Sequence, residues 1–342
     1  VQVEQRIQTV CLLILATVAV AATLHWLRPV MIPFVLAVFL AIGLSPIVEI
    51  QVDYFRAPRW LAILATLMIG FLILNLIGGL ISASVKQMAA EADVYQDQLE
   101  KFARYVATSL PLERFGIEVG QSVVPISKQV LGNVGGFLLN TTNSLLGLLS
   151  QGLLVMIFLL FLLIGEQVEP EQLPSGWSST QVSIRRYLIT KTLISAATGI
   201  LVGGVLAVLG IKLAMVFGLF AFLLNFIPSV GSIVATLLPI PVVIVSPDVS
   251  VGTAAAAIII PAVIQILVGN VIDPKVMGTS LNLHPVSVLL GLMIWGMLWG
   301  VVGMFLATPL MAILKTAVQR MELTAPLADL LEGKPPRYKP PA

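Results

Sequence analysis

Residues 213–245 read LAMVFGLFAFLLNFIPSVGSIVATLLPIPVVIV, a run without a charged side chain that Pro228, Gly231, Pro239 and Pro241 interrupt. A bilayer core of about 30 Å takes roughly 20 apolar helical residues to cross, so the run as a whole is long enough to span. Proline removes a backbone donor and clashes with the preceding turn, and the segment NFIPSVGS at 225–232 splits the run into two pieces. Each piece is too short to cross comfortably. The reading is a re-entrant helical hairpin or two broken spans. Either belongs in a membrane protein, where unwound backbone at depth is tolerated only inside protein or beside a water-filled cavity.

On both sides of this stretch, apolar runs predict spans at roughly 9–27, 29–50, 60–84, 143–165, 187–210, 252–272, 284–300 and 301–320. The fold class is therefore all-α: a polytopic transmembrane helical bundle of about eight spans, with the broken hairpin and an extramembrane helical segment. Composition agrees. Of 342 residues, 58% are hydrophobic and 11% charged, against about 45–50% and about 25% in soluble domains. A net charge of +2, from 19 basic and 17 acidic residues, gives no bulk charge to attract nucleic acid. The single cysteine, Cys11, excludes disulfide frameworks and cysteine-rich metal sites within the chain. Apolar sequence follows Cys11 rather than preceding it, and many apolar runs come later, so the first segment reads as a span rather than a lipoprotein or secretory signal.

Both readings of 213–245 preserve the parity of the chain, so the positive-inside rule sets its orientation. A cytoplasmic N-terminus keeps Arg6, Arg56, Arg59, Arg185, Arg186, Lys275, Lys315, Arg320 and the basic tail inside. Both termini are then cytoplasmic. The excluded segment carries mixed charge, and Val85, Met88, Ala92, Tyr95, Leu99, Phe102 and Val106 recur at alternating spacings of three and four. That is the seam of a helix packing on another helix, either in its own second half or in another subunit. Residues 166–183 read as a cytoplasmic loop with Trp177 and Tyr187 as interfacial markers, and the tail from Glu332, rich in proline and lysine, reads as disordered. The organisation is five regions: spans one to three (1–84), an extracytoplasmic helical segment (85–142), spans four and five with a loop (143–210), the broken hairpin with the C-terminal spans (211–320), and the tail (321–342).

No HExxH, GxSxG, Walker loop or phosphate-binding glycine pattern occurs, so neither enzymatic activity nor a cofactor is expected. His25 and His284 stand at span ends far apart in sequence and read as interfacial residues rather than metal ligands. Two polar clusters at membrane depth demand explanation. In 265–285, QILVGNVIDPKVMGTSLNLHP, Asn270 and Asp273 are three apart and share a helix face, and Pro274 is expected to end the helix and free carbonyls near Asp273 and Lys275. A broken helix end with a carboxylate suits a cation or a hydroxylated solute. The alternative is a loop in which Asp273 pairs with Lys275. In the other cluster Pro228 and Gly231 break the helix, and Asn225, Ser229 and Ser232 offer hydrogen bonds to unwound backbone or to a ligand. GxxxG spacings at Gly199/Gly203 and Gly296/Gly300 predict close helix packing, with Trp295 and Trp299 forming a bulky rim at lipid or at a subunit face.

The stretches NFIPSVGSIVATLLPIP at 225–241 and GNVIDPKVMGTSLNLHPVSVLLGLMIWGMLWGVVGMFLATPL at 269–310, in this order after paired N-terminal spans and a long excluded segment, resemble the autoinducer-2 exporter family of bacterial membrane proteins. The likeness covers essentially the whole chain. It implies an oligomeric transporter whose cargo ranges from a small signalling molecule, exported, to sodium or lithium exchanged for protons. The matching motif positions are Asn225, Pro228, Gly231, Asn270, Asp273, Pro274, Lys275, Gly278, Gly303 and Pro309.

The expected function is a secondary transporter without ATP. Its partners are a small solute or a monovalent cation or proton, membrane lipids, and further copies of itself in a homo-oligomer. The solute is expected to pass near Pro228 and the 270–275 corner, with Asp273 as the proton- or cation-responsive group among Glu49, Glu166, Asp248 and Asp273. The alternative is a membrane scaffold that assembles partners through the excluded helix.

Overall fold

The computed structural model describes residues 2–90, 151–165, 177–246, 249–277, 281, 283–319 and 325–334. Most of the excluded segment, the start of the fourth span, most of the following loop and the end of the tail lie outside these residues.

All regular structure among the described residues is helical: α1 (Gln2–Trp26), α2 (Arg28–Phe55), α3 (Arg59–Ala90), α4 (Gln151–Ile164), α5 (Trp177–Val208), α6 (Ala214–Leu224), α7 (Val230–Leu237), α8 (Pro239–Val245), α9 (Val251–Leu267), a π-helical turn (Val268–Ile272), α10 (Asp273–Met277), α11 (Pro285–Gln319) and α12 (Ala325–Leu331). Among the described residues, five stretches are long and apolar enough to cross a bilayer: Arg28–Phe55, Arg59–Leu80, Ser179–Val208, Val251–Val276 and Pro285–Gln319. Their most apolar windows bury only 22–39% of their residues within the chain, and side chains such as Phe71, Leu72, Ile200 and Met297 stand exposed. An outward apolar surface of this extent is stable only against lipid. The molecule is an all-α, multi-pass membrane protein.

The chain divides into two compact units. The first comprises Val1–Leu67, Ser150–Ile189 and Thr279–Ala342, the second Met68–Leu149 and Thr190–Gly278.

In the first unit α2, α3 and α4 pack around Ala37, Ala41, Ala62, Ile63, Leu159 and Leu163. A second cluster gathers Phe39, Ile184, Trp299, Leu306 and Leu310. The helix α11 is two arms folded at Gly300, whose φ of 64° and ψ of −142° break the helical path in a conformation that only glycine adopts easily. A Cβ on Gly303 would lie 1.9 Å from the Trp295 carbonyl oxygen, while Gly296 faces Met304 and Gly291 faces Met311. These pairings run antiparallel, and the fold point coincides with the boundary expected between 300 and 301. Gly300 is thus the turn itself rather than half of a packing pair, and the two tryptophans, with ring centroids 5.0 Å apart, sit in the second cluster rather than at a rim. Trp299 Nε1 donates to the Leu24 carbonyl at 3.1 Å, and His25 Nδ1 donates to that of Leu298, also at 3.1 Å. Tyr187, expected at the interface, is buried.

The described residues Glu332–Lys334 are anchored, although disorder was expected from Glu332; the rest of that tail lies outside the described residues. The Leu331 carbonyl accepts from the His284 N–H and from Ser287 Oγ, both at 2.9 Å. Glu332 pairs with the buried Lys315 at 2.7 Å and with Lys334 at 2.5 Å. Burial alone would push the Glu332 carboxyl up, but hydrogen bonds and charge from the two lysines outweigh it and hold the group below the ordinary glutamate range.

The second unit is built around Val202, Leu206, Phe217, Ala221, Ala235, Val243 and Ala257. Here 213–245 forms a helical hairpin: α6 as one arm, and α7 continuing into α8 through the helical Leu238 (φ −56°, ψ −42°) as the other. With a rise of 1.5 Å per residue, α6 spans only about 17 Å, short of the roughly 30 Å hydrocarbon core. Gly199 and Gly203 of α5 face Gly218 of α6, and a Cβ on Gly199 would meet the Gly218 carbonyl at 2.7 Å. A Cβ on Gly231 would stand 1.8 Å from the Leu224 carbonyl oxygen. Each unit therefore holds one hairpin with a glycine pressed on the last carbonyls of the first arm, and each second arm opens with V-G-x-x-x-A-T, at 230–236 and at 302–308.

Two outcomes follow from this packing. Gly231→Ala and Gly303→Ala each force backbone apart and are expected to cost about 1–3 kcal/mol or more, read as a lower unfolding midpoint or loss of folded protein in detergent. Gly204→Ala, with open space around it, is the neutral control. Glu332 has a depressed folded-state pKa, so its contribution is complete above the ordinary glutamate value of about 4.3 and fades as pH falls through the depressed value. Glu332→Gln should lower stability at neutral pH and flatten the acid limb of a stability–pH curve.

Candidate functional site

The hairpin turn and α9 border a half-open cavity of about 410 Å³ in the second unit. Ser229, Ser232 and Thr236 line it from the hairpin, and Gln265, Gly269 and Asn270 line it from α9 and the π-helical turn, with Ile233, Leu237, Ala262 and Ile266 as its apolar wall. No charged side chain reaches this lining. Gln265 is 2% exposed, and neither its Oε1 nor its Nε2 has a hydrogen-bond partner. A buried amide left in that state costs about 1–3 kcal/mol per unmet group. Thr236 Oγ1 and Asn270 Nδ2 donate to backbone carbonyls one turn back, of Ser232 and Ile266 respectively.

Local sequence explains the wall. Pro274 has no N–H to give to the preceding turn, and the chain accommodates it by widening: the Asp273 N–H bonds the Val268 carbonyl across the π-helical turn. Wide turns of this kind interrupt helices at functional sites. The helix then continues as α10, so Pro274 opens a further helical turn rather than ending the helix as expected. The wide turn also separates Asn270 from Asp273. Asn270 lines the cavity, whereas Asp273 Oδ2 accepts from Lys191 Nζ of α5 at 2.6 Å. Lys275, the partner of Asp273 in the alternative reading, stands exposed on α10.

On α5, Lys191, Ser195 and Thr198 form a polar stripe at i, i+4 and i+7 with exposures of 3%, 0% and 0%. Asn225, itself buried, donates from Nδ2 to Ser195 Oγ at 2.9 Å. The stripe ties both the hairpin turn and the end of the π-helical turn to one helix.

Of the residues singled out from sequence, Ser229, Ser232 and Asn270 meet at the cavity. Asn225 anchors the turn, Pro228 lies half-buried within it, and Gly231 closes it against Leu224. Pro274 shapes the wide turn, Asp273 is paired, and Lys275 is remote from the lining. Gly278 lies outside the described residues, as do Glu166 and Asp248; Glu49 pairs with Arg185 at 2.6 Å. Sequence reasoning missed Lys191, Ser195, Thr236 and Gln265. Lys191 had a signal, a lone charge inside an apolar span; Gln265 had a weaker one, an amide in the middle of another.

A polytopic helical bundle with broken helices around an uncharged polar cavity defines a membrane transport protein, and the relatives agree. The model of the AI-2E family transporter matches residues 13–323, and the chain belongs to that family of bacterial transport proteins, which are not enzymes. It is 30% identical over 331 residues to the AI-2 transport protein TqsA of Escherichia coli K12, covering 92% of each chain. It is 28% identical to a putative transport protein of Haemophilus influenzae, covering 93% of this chain and 94% of that one. With the putative transport protein YhhT of Escherichia coli K12 it shares 25% identity over 93% of both.

The anchor of the turn is testable by a mutant cycle. Asn225→Ala should cost about 1–3 kcal/mol by stranding Ser195, and Ser195→Ala added to it should cost little further, since the two share one hydrogen bond. Thermal unfolding of the four proteins measures both terms.

Proposed function

We propose that this chain is a secondary transporter that carries a small, neutral, hydroxylated solute through the cavity between the hairpin turn and the π-helical turn. One observation carries the reading: a buried glutamine with both amide atoms unpartnered, in a cavity whose other polar groups are hydroxyls and an amide. Such a lining gives up little by exchanging water for the hydroxyls of a solute, and it offers no charge with which to hold an ion. Broken helices beside the site supply unwound backbone of the kind transporters use at membrane depth.

TqsA is named as a transporter of AI-2, which makes small hydroxylated signalling molecules the first cargo to test here. The distribution of lysine and arginine supports cytoplasmic termini in the inner membrane, and closed symmetry is the default for the homo-oligomer that the sequence suggests. Sodium–proton exchange has no comparable support. It calls for a carboxylate open to the ion, and Asp273 gives one oxygen to Lys191.

The purified chain in sealed liposomes should move such a solute in the absence of ATP. Gln265→Leu, similar in volume and unable to hydrogen-bond, should lower kcat/KM by about 10–100-fold, the equivalent of about 1–3 kcal/mol. Ser232→Ala should lower it less. Undiminished solute flux in Gln265→Leu, or flux of monovalent cations alone, would overturn the proposal.

A further inference from the structure

The solute cavity makes no use of the buried charge of Lys191. The Lys191 side chain is 4% exposed and its Nζ lies 2.6 Å from Asp273 Oδ2, while Asp273 Oδ1 is closed off from solvent and has no hydrogen-bond partner. An ammonium on a four-carbon stem is a compact point charge. Its separation from the carboxylate is also the distance that hard metal cations keep from oxygen ligands, roughly 2.3–2.6 Å for calcium. The ammonium stands where such an ion would stand, at a carboxylate with acceptor capacity to spare.

We propose that Lys191 is a tethered cation that fills, from within the chain, the position at Asp273 a sodium ion would take, and so frees the transport cycle from a metal co-ion. A covalent tether holds its charge at millimolar or higher effective concentration, and its three donors are already engaged in part by the carboxylate. Free sodium has to displace it to enter. Removing the ammonium leaves a partly buried carboxylate, 17% exposed and with Oδ1 closed off, without its compensating charge, an unfavourable state, and a small monovalent cation from solution is then the group that restores neutrality. The bearing on coupling rests on the transporter reading above; the cation position itself depends only on Lys191 and Asp273.

The test compares the purified full chain in sodium chloride and in choline chloride at equal ionic strength, by thermal unfolding and by binding of radioactive sodium. The unsubstituted protein and Lys191→Arg should unfold at the same temperature in both salts and retain no sodium. Lys191→Ala should unfold several degrees higher in sodium than in choline, or be recovered folded only when sodium is present, and Lys191→Ala with Asp273→Asn should lose that response.

A sodium-specific shift in the unsubstituted protein or in Lys191→Arg overturns the proposal. So does a Lys191→Ala protein that ignores sodium, or that fails to fold in either salt while Lys191→Arg folds. Solute flux in liposomes should persist when choline replaces sodium. Absence of solute flux in every salt would strike the transporter reading while leaving the sodium-binding result to decide this one.

Discussion

In hydrocarbon a backbone N–H or C=O finds no water, so a helix can be interrupted only where the chain itself encloses the interruption. That constraint governs everything distinctive about this molecule. Both hairpins meet it in the same way. A glycine at the start of the second arm allows backbone to lie directly on the last carbonyls of the first arm, and the absent side chain is what makes the approach possible. The π-helical turn meets it differently, by keeping its N–H groups bonded in a wider register ahead of a proline. At these three breaks among the described residues the chain meets its own backbone, and it keeps its long apolar faces for lipid.

The polar groups of the cavity exist because of those breaks. Ser229 sits in the turn with a φ of 59°, a conformation that an uninterrupted helix could not give it. Asn270 belongs to the widened turn, which carries Asp273 away from the cavity and toward α5. The separation of roles follows from this rotation: an uncharged lining on one side, and a neutralised ion pair three residues further on. Lys191, Ser195 and Thr198 then act as a spine to which the turn and the ion pair are both attached. Its buried position makes α5 the element on which the geometry of this unit depends.

Much of the architecture was legible in the sequence, because apolar runs of span length and the placement of proline and glycine are strong signals in a membrane chain. The broken run at 213–245 and the boundary at Gly300 could both be placed to within a residue or two. Roles within the site were harder to read. Ser229, Ser232 and Asn270 could be picked out as polar groups at a break, but the partner of Asp273 could not. Local spacing offered Lys275, and the observed partner lies 82 positions away on another helix. Long-range pairing of this kind leaves no trace in periodicity. The effect of Pro274 was misjudged for a related reason: a proline after a helix can terminate it or widen the turn before it, and packing against α5 decides which. Tyr187 and the two tryptophans show the same limit, since an aromatic residue near a span end has the same composition signal whether it faces headgroups or the interior.

The glycine-to-carbonyl contacts have a consequence for divergence. Because each hairpin closes with backbone lying against backbone, and Asn225 anchors the turn from behind, the side chains that line the cavity are not what holds the turn in shape. Ser229, Ser232 and Thr236 can be exchanged for other residues while Gly231 stays, and the hairpin survives the exchange. A lineage built on such a joint can rewrite what it recognises without rebuilding how it folds. Relatives that share only 25–30% of their residues with this chain, yet align with it over more than nine-tenths of their length, are free to have parted company over cargo long before they part company over shape.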